Sequence, residues 1–445
     1  MNGWHQTFRY LPFHSPKPMS TRRSFFQKSI GFAGALSLSS VAKAAEEVSD
    51  ALIGLNKLSP FDAASDEELW NRLAQAYTVS PTILNLNNGG VSPQPKVVQD
   101  AVDRYYHLSN EAPSYYMWQI LDKGREPLRR KLADLAGTSA DEIAINRNTT
   151  EALATVTWGL TLQKGDEVVM TRQDYPNMIH AWKQKELRDG IKINWINLKL
   201  PIEHEEEFVK AFVSATTSKT KIWHITHMIN WTGQIMPVKR LCEEARKRNI
   251  ISIVDGSHTF AHMDFKVSDF NPDYFGTSLH KWLCAPFGTG MLYVKKENIQ
   301  GLWPLFPNDK PQSGDIRKFE TLGTRSFAPE QAIGQAIDFH LAIGSKRKEE
   351  RLHFLKNYWC EKVVRNPRVK LNISLKPEFS CALGNFSVDG MEPETVASKL
   401  MGEHQIHTVS IKWENISGVR VTPHVYTTTR DLDRFVDAVL KIAAS

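Results

Sequence analysis

Short apolar segments alternate with helical patterns along most of the chain, and this alternation limits the possible folds more than any other feature. From Ile83 onward, such segments occur at residues 142–145, 167–170, 193–196, 222–225 and 251–254. Strands that are apolar throughout and separated by helices are typical of a parallel sheet covered by helices on both faces. The sequence therefore predicts an α/β fold with a mostly parallel, doubly wound sheet.

The pattern changes around residues 323–329, which indicates a second domain. Residues 330–445 favour a helix, two or three strands and a closing amphipathic helix at 431–443, as in a smaller α+β domain. At roughly 150 residues per domain, two or three domains are expected. The predicted parts are a signal segment (1–44), an N-terminal helical segment in which Asp66 to Trp70 starts a helix (45–82), a large domain (83–325) and a small C-terminal domain (326–445).

The first 44 residues have the features of an export signal. Residues 21–28 (Thr-Arg-Arg-Ser-Phe-Phe-Gln-Lys) resemble the twin-arginine motif, an apolar stretch follows at 30–41, and Ala42-Lys43-Ala44 provides a cleavage site. An apolar run of about a dozen residues is too short to span a bilayer. We therefore expect export through the twin-arginine pathway, a periplasmic location, and no membrane association after cleavage.

The positive charge of the chain belongs to this leader. Its six basic residues and lack of acids account for the whole net charge of +6, so the remainder is neutral. A nucleic-acid-binding protein is expected to keep a basic excess in its folded part, so no nucleic-acid partner is predicted. The four cysteines are too far apart for a Cys-x-x-Cys metal site and too few for a disulfide scaffold, so no metal site is predicted.

Asp255 and Lys281 are the most informative pair in the chain. Asp255 ends the apolar segment 251–254, at the sheet edge where α/β proteins bind ligands. Lys281 lies in Ser-Leu-His-Lys-Trp (278–282), in an apolar setting that lowers the pKa of an amine. A nucleophilic lysine and a carboxylate for a pyridine nitrogen are what a pyridoxal phosphate enzyme requires. The pair by itself is equally typical of a surface lysine with no catalytic role.

Three further segments follow predicted strands and have two readings each. Asn148-Thr149-Thr150-Glu151 begins a helix that either binds a phosphate or is simply capped. Tyr175 either stacks on a planar cofactor or packs against the protein. Asn230 either binds a phenolic oxygen or forms part of a turn.

Six segments together carry a resemblance to a known family. They are residues 86–93, 148–152, 255–258, 278–281, 322–325 and 419–424. In their order and spacing, the chain from about Ile83 to Leu440 resembles the class V aminotransferase family of fold-type I pyridoxal phosphate enzymes. Within it, the chain is most similar to isopenicillin N epimerase-like proteins, which are related to the cysteine desulfurases.

The resemblance implies pyridoxal 5'-phosphate as the cofactor and a role for each matching residue. Lys281 would bind the cofactor covalently and then move protons at the substrate Cα. Asp255 would bind the pyridine nitrogen, Tyr175 would stack on the ring, and His258 would lie near the 3-oxygen beside Asn230. The residues implied to hold the phosphate are Thr149, Thr150, Ser278 and His280.

The resemblance also implies how the substrate and a second subunit bind. Arg420 would hold the α-carboxylate of a small amino-acid substrate, which suits its bidentate geometry. Asn88 would line the substrate pocket. Thr324 would reach the phosphate in the neighbouring subunit, which implies a homodimer with shared active sites.

The reaction is less constrained than the cofactor. Cysteine desulfurases carry a nucleophilic cysteine shortly before the carboxylate-binding arginine, whereas residues 405–418 contain none. Cys381, in the strand-like segment 379–383, is interpreted as a buried structural thiol. An isopenicillin N epimerase-like amino-acid epimerase is therefore favoured, with a class V aminotransferase or a β-eliminating C–S lyase as alternatives. A non-catalytic cofactor-binding protein is disfavoured because Lys281 is present.

Overall fold

The computed structural model of this protein describes residues 43–445. Residues 1–42, which hold nearly all of the predicted export signal, lie outside the described residues, so the signal and the periplasmic location stay predictions. From residue 43 onward, no helix is both long and apolar enough to cross a membrane.

The strands fall into one large sheet, one smaller sheet and a short pair. In chain order they are β1 (Leu84–Asn85), β2 (Ile143–Asn146), β3 (Glu167–Thr171), β4 (Lys192–Ile196), β5 (Thr220–Thr226), β6 (Ile251–Asp255), β7 (Tyr274–Ser278), β8 (Gly290–Val294), β9 (Val369–Leu371), β10 (Gly384–Val388), β11 (Ile406–His407), β12 (Val409–Trp413) and β13 (Ile416–Val421).

Helices surround both sheets. They are α1 (43–56), α2 (Pro60–Ala64), α3 (Glu67–Ala74), α4 (Lys96–Glu111), α5 (Pro113–Tyr115), α6 (Arg125–Ala136), α7 (Thr149–Gly159), α8 (Pro176–Asp189), α9 (Glu205–Ser214), α10 (Val238–Lys247), α11 (Lys296–Ile299), α12 (Ala328–Gln331), α13 (Ile333–Ile343), α14 (Ser345–Val363), α15 (Pro393–His404) and α16 (Thr429–Ala444). The Asp66 carboxylate caps α3 by accepting a hydrogen bond from Leu69 N at 3.1 Å, as the sequence predicts for a helix that starts here.

The large sheet has the strand order β2-β8-β7-β6-β5-β3-β4, in which only β8 runs against its neighbours. Adjacent residues of one strand pack on opposite faces. Val168 of β3 joins one apolar cluster and Val169 joins another, and Ile253 and Val254 of β6 divide in the same way. Burial on both faces is the reason that these strands are apolar throughout. The mostly parallel α/β fold is confirmed.

The smaller sheet is antiparallel, with the order β12-β13-β10-β9. Its apolar core is formed with α14 and α16 and includes Trp359, Phe386 and Phe435. Residues 326–445 contain five strands, so the prediction of two or three was wrong. β9 and β11 have three and two residues, too few to show a hydrophobic period.

A short parallel pair connects distant parts of the chain. β1 pairs with β11, in the register Leu84 with Ile406 and Asn85 with His407. Leu84 and Leu86 are buried in the same cluster as the smaller sheet. The strand pair therefore holds the asparagine-rich segment that follows β1 next to β13. The predicted domain boundaries stay predictions.

Candidate active site

Parallel strands bring several of the predicted residues to one edge of the large sheet. β5, β6 and β7 end at Thr226, Asp255 and Ser278, and the register pairs Thr226 with Asp255 and Asp255 with Gly276. The N-terminus of α7 lies at the same edge, because Thr149 contacts Ser278. A cavity of about 480 Å³ opens here. Its lining contains all the predicted site residues except two: Thr149, Thr150, Tyr175, Asn230, Asp255, His258, Ser278, His280, Lys281 and Arg420.

Lys281 and His258 form the reactive pair of this cavity. Lys281 Nζ lies 3.2 Å from His258 Nε2 and 5.9 Å from the centre of the Tyr175 ring. Burial lowers the pKa of Lys281 to about 8, with Asp255 opposing the shift and Arg420 adding to it. Burial also holds the pKa of His258 well below its usual range, and the charge of Lys281 lowers it further. Near neutral pH, His258 is therefore a neutral hydrogen-bond partner for the lysine amine.

Asp255 is positioned by its neighbour Ser257. One carboxylate oxygen, Oδ1, accepts hydrogen bonds from Ser257 N at 2.9 Å and from Ser257 Oγ at 2.5 Å. The hydrogen bonds between described residues leave Oδ2 without a partner. Because Asp255 lines the cavity and is only 4% exposed, this oxygen can accept a hydrogen bond from a ring N–H.

Hydroxyl groups cluster where α7 begins. Thr149 N donates to Ser278 Oγ at 2.9 Å, and the two hydroxyl oxygens lie 2.8 Å apart. The hydroxyl oxygens of Ser257 and Thr149 lie 2.7 Å apart, and Thr149 donates in this contact because the single hydroxyl proton of Ser257 goes to Asp255. Asn148 caps the helix by accepting a hydrogen bond from Glu151 N at 2.9 Å. The free N–H groups of a helix N-terminus and nearby hydroxyls are suited to a phosphate dianion.

Arg420 extends from β13 into the same cavity. Its Nη1 donates to the Asn230 carbonyl oxygen at 2.8 Å, and its Nη2 donates to Asn87 Oδ1 at 2.8 Å. The side chain is buried, and Nε has no partner among the described residues. Burial lowers the pKa of Arg420 to about 10, with Tyr175 opposing the shift. A guanidinium with unused donors in a buried position is suited to bind a carboxylate.

Two predicted residues lie outside the cavity. The Asn88 amide donates to the Thr422 and Asn85 carbonyl oxygens at 2.8 and 3.1 Å and accepts from Tyr426 OH at 2.6 Å, so it is fully used within the protein. Asn88 therefore does not line this cavity, since the irregular segment directs Asn87 toward Arg420 instead, and its role at the substrate stays a prediction. Thr324 is exposed and away from the cavity of its own chain, so its role across a dimer stays a prediction.

Three residues of the site escaped the sequence analysis. Ser257 orients Asp255. The segment 255–258 already contained this serine, and a hydroxyl two residues after the carboxylate could have been recognised as its hydrogen-bond donor. Asn87 holds Arg420, and nothing in the sequence distinguishes it from Asn88. Trp231, which follows Asn230, lines the cavity and stacks on Trp413, with ring centres 5.1 Å apart and planes at 23°.

None of the four cysteines lines the cavity, and all four are buried and free. Cys381 lies in an irregular segment rather than the predicted strand, because Ala382 N donates to the His262 side chain instead of to a neighbouring strand. Burial alone would raise the pKa of Cys381, but His262 and His353 lower it to about 6. The Cys381 thiol therefore interacts with buried histidines and does not line the active-site cavity.

Known proteins resemble this chain over most of its length. A family model described as aminotransferase class-V matches residues 84–435. The chain is 25% identical to an isopenicillin N epimerase of Amycolatopsis lactamdurans, with 84% of this chain and 98% of that protein covered. It is 27% identical to a probable cysteine desulfurase of Halalkalibacterium halodurans, with 84% and 96% covered. The solved structure of C-DES with glycine covalently linked to its PLP cofactor has a TM-score of 0.73 at 20% identity, over 81% of this chain and 97% of that chain.

The cavity fits pyridoxal 5'-phosphate. Four buried polar atoms around it lack a partner among the described residues: Asn230 Oδ1, Trp231 Nε1, His258 Nδ1 and Arg420 Nε. Buried polar atoms without partners are costly unless a bound group satisfies them. A reactive amine, a carboxylate with an unused oxygen, an exposed aromatic ring and a phosphate-binding helix N-terminus surround the same space.

The lowered pKa of Lys281 predicts how cofactor capture depends on pH. Only the neutral amine attacks the cofactor aldehyde, so the rate at which apoprotein binds pyridoxal 5'-phosphate is expected to rise about tenfold from pH 6 to 7 and to level off above about pH 8 to 9. Stopped-flow absorbance measures this rate. A rate that keeps rising through pH 10, as for an ordinary lysine, would contradict the assignment.

Proposed function

We propose that this chain, which belongs to the aminotransferase class-V family of pyridoxal 5'-phosphate enzymes, epimerises an amino acid at Cα. The observation that carries the proposal is the contact between Lys281 and His258 in a cavity without a thiol. A cysteine desulfurase needs a nucleophilic sulfur at this place. Two relatives named isopenicillin N epimerase, at 25% and 26% identity, support the choice of reaction.

Each residue then has a task at the substrate. When bound, the cofactor withdraws electrons from Cα and so makes the Cα proton acidic. Arg420 binds the α-carboxylate and fixes the orientation of the amino acid. Lys281 removes or returns the Cα proton, and the neutral His258 ring orients the Lys281 amine through their 3.2 Å contact. Asp255 keeps the pyridine nitrogen protonated, which favours the withdrawal of electrons.

Incubation with single enantiomers in D₂O tests the proposal. We expect deuterium at Cα and a mixture of D and L isomers, measured by NMR and chiral chromatography. Oxo-acid release in proportion to turnover would identify an aminotransferase instead, and loss of a β-substituent would identify a lyase. His258→Ala removes the hydrogen-bond partner of the Lys281 amine, so it should slow epimerisation while retaining the cofactor.

We also propose a homodimer whose two active sites are shared. Thr324 lies in an exposed turn, with Gly323 at φ +72°. The turn is held on both sides by Arg125, which pairs with Glu320 at 2.8 Å and with Glu330 at 3.1 Å. A firmly held, exposed threonine is suited to reach the phosphate in a second copy of the chain.

Replacing Thr324 with valine is expected to weaken cofactor affinity by about one to two orders of magnitude. The change keeps the shape of the side chain and removes a hydroxyl, and a hydrogen bond to a charged phosphate contributes roughly 1.5–3 kcal/mol. Equilibrium titration with pyridoxal 5'-phosphate measures the affinity. Thr321→Val changes a neighbouring exposed threonine in the same way and should have little effect.

Mixed dimers show whether the threonine acts across the interface. Subunits with Lys281→Ala and an intact Thr324 should restore cofactor affinity to subunits with Thr324→Val and an intact Lys281. Equally weak binding in the mixed dimer would show that Thr324 acts within its own chain and would refute shared sites.

A further inference from the structure

We propose that the substrate has a neutral, largely apolar side chain and a single carboxylate. This inference deepens the proposed function, because it specifies which amino acids the site accepts. It depends on what remains of the cavity lining once the groups that bind the cofactor and the α-carboxylate are set aside.

The first step concerns charge. The acidic and basic side chains of the lining are Asp255, His258, His280, Lys281 and Arg420. The first four, Lys281 among them, lie beside the helix N-terminus, in the part of the cavity where the cofactor would bind. Arg420 is therefore the one remaining cation that the described residues place in this cavity, and the α-carboxylate uses it.

The lysine of β12, the strand that contributes to the cavity wall, lies outside the cavity. Residues of β12 alternate between its two faces: Val409 lines the active-site cavity, whereas Lys412 is exposed and pairs with Glu392 at 3.1 Å in a groove on the other face. Arg172 lies behind the wall, where its guanidinium lies 5.4 Å from the centre of the Trp195 ring. Neither Lys412 nor Arg172 lines the active-site cavity, so the described residues of one chain offer a second carboxylate no partner there.

The second step concerns the wall that faces the substrate side chain. Val409 pairs directly with Arg420 in the register of β12 and β13, so the two side chains lie together on the cavity face. Ile411 follows on the same face, and Trp231 completes the wall. The Trp231 ring is held in place by its stack on Trp413, whose indole N–H donates to the Arg172 carbonyl oxygen at 2.8 Å. The substrate side chain therefore leaves the arginine along valine, isoleucine and tryptophan.

An apolar wall without a free cation discriminates strongly against charge. Moving an ionised group from water into such surroundings is costly unless it is paired. We therefore expect glutamate to bind on the order of 10² more weakly than glutamine, which has the same shape without the charge. Methionine and leucine should bind at least as well as glutamine, because they bury apolar atoms against the wall.

The first experiment measures binding to the holoenzyme. Each amino acid is titrated while the visible absorbance of the cofactor is followed, which gives Kd whether or not turnover occurs. Weaker binding of glutamate than of glutamine, methionine and leucine supports the proposal. Equal or tighter binding of glutamate, or no response to any neutral amino acid, overturns it. Neutral amino acids that bind and exchange the Cα proton but give no D isomer would support this inference and refute only the epimerase activity.

A pair of charge-insertion variants locates the effect. Val409→Lys places a cation beside Arg420 inside the cavity, and Ser410→Lys places the same charge on the exposed opposite face of β12. Val409→Lys should improve the Kd of glutamate relative to glutamine by about tenfold or more, and Ser410→Lys should leave the ratio unchanged. An equal change in both variants would show that overall charge, not the wall, sets the preference, and would overturn the proposal. The wild-type titration decides the proposal if Val409→Lys loses its bound cofactor.

Discussion

Replacement of Lys281 with alanine is expected to abolish turnover, with a loss of at least about 10⁴ in kcat. In the proposed roles, the change removes both the amine that binds the cofactor covalently and the base that moves the Cα proton, and a general base alone contributes about 10² to 10⁴. The wild-type protein should be yellow and should keep its cofactor through denaturation after borohydride reduction, whereas the variant should not. Absorbance spectra and Cα proton exchange measure the two effects.

Lys318→Met is a matched control for this prediction. Burial lowers the pKa of Lys318 to about 8, as for Lys281, but its amine donates to the Pro311 carbonyl oxygen at 2.8 Å and it does not line the cavity. The control should keep the covalently bound cofactor and its activity. A colourless wild-type protein that stays inert with added pyridoxal 5'-phosphate would refute the assignment of Lys281.

The second large effect is expected for Arg420→Met, which should reduce kcat/KM by about 10² to 10⁴. The variant loses the two charge-assisted hydrogen bonds that we propose Arg420 makes to the α-carboxylate, each worth roughly 1.5–3 kcal/mol. Arg420→Lys should recover part of the loss, because an ammonium keeps the charge without the bidentate geometry. Steady-state kinetics and the binding titration measure both variants.

Binding of the decarboxylated amine shows whether Arg420→Met removes a contact with the substrate carboxylate or damages the cavity itself. Arg420 also holds the Asn230 carbonyl oxygen and the Asn87 side chain, so its loss could disturb the cavity itself. Arg420→Met should weaken binding of an amino acid but not of the corresponding decarboxylated amine. Equal weakening of both ligands would mean that Arg420 supports the cavity and does not bind the carboxylate. Asn87→Ala tests the positioning contact and should have a smaller effect.

The cofactor-binding half of the site follows closely from the sequence. Asp255 ends a predicted apolar strand, and Thr149 starts the helix that follows another, whereas the strand that ends at Ser278 was not predicted. Because parallel strands end at the same edge, their C-terminal residues meet without further information. The positions of Lys281, Asp255 and Thr149 around one cavity are therefore expected from local patterns and chain order.

The substrate-binding half depends on contacts between distant parts of the chain. Arg420 is held by Asn230 and Asn87, which are 190 and 333 residues away. The choice between Asn87 and Asn88 depends on how an irregular turn packs against Thr422, and two adjacent asparagines have no local difference that reveals it. The wall of Val409 and Trp231 likewise forms only when β12 is placed beside the large sheet.

The sequence by itself determined the alternation of strands and helices between residues 142 and 254, the position of Asp255 at a strand end and the absence of a cysteine at 405–418, before Arg420. These properties are local, since hydrophobic period, turn residues and residue type are all read within a few positions. The tertiary structure alone decided the orientation of Asn88, the environment of Cys381 between His262 and His353, and the apolar wall beside Arg420. Those properties depend on which distant side chains exclude water together, and no local pattern in one sequence records that packing.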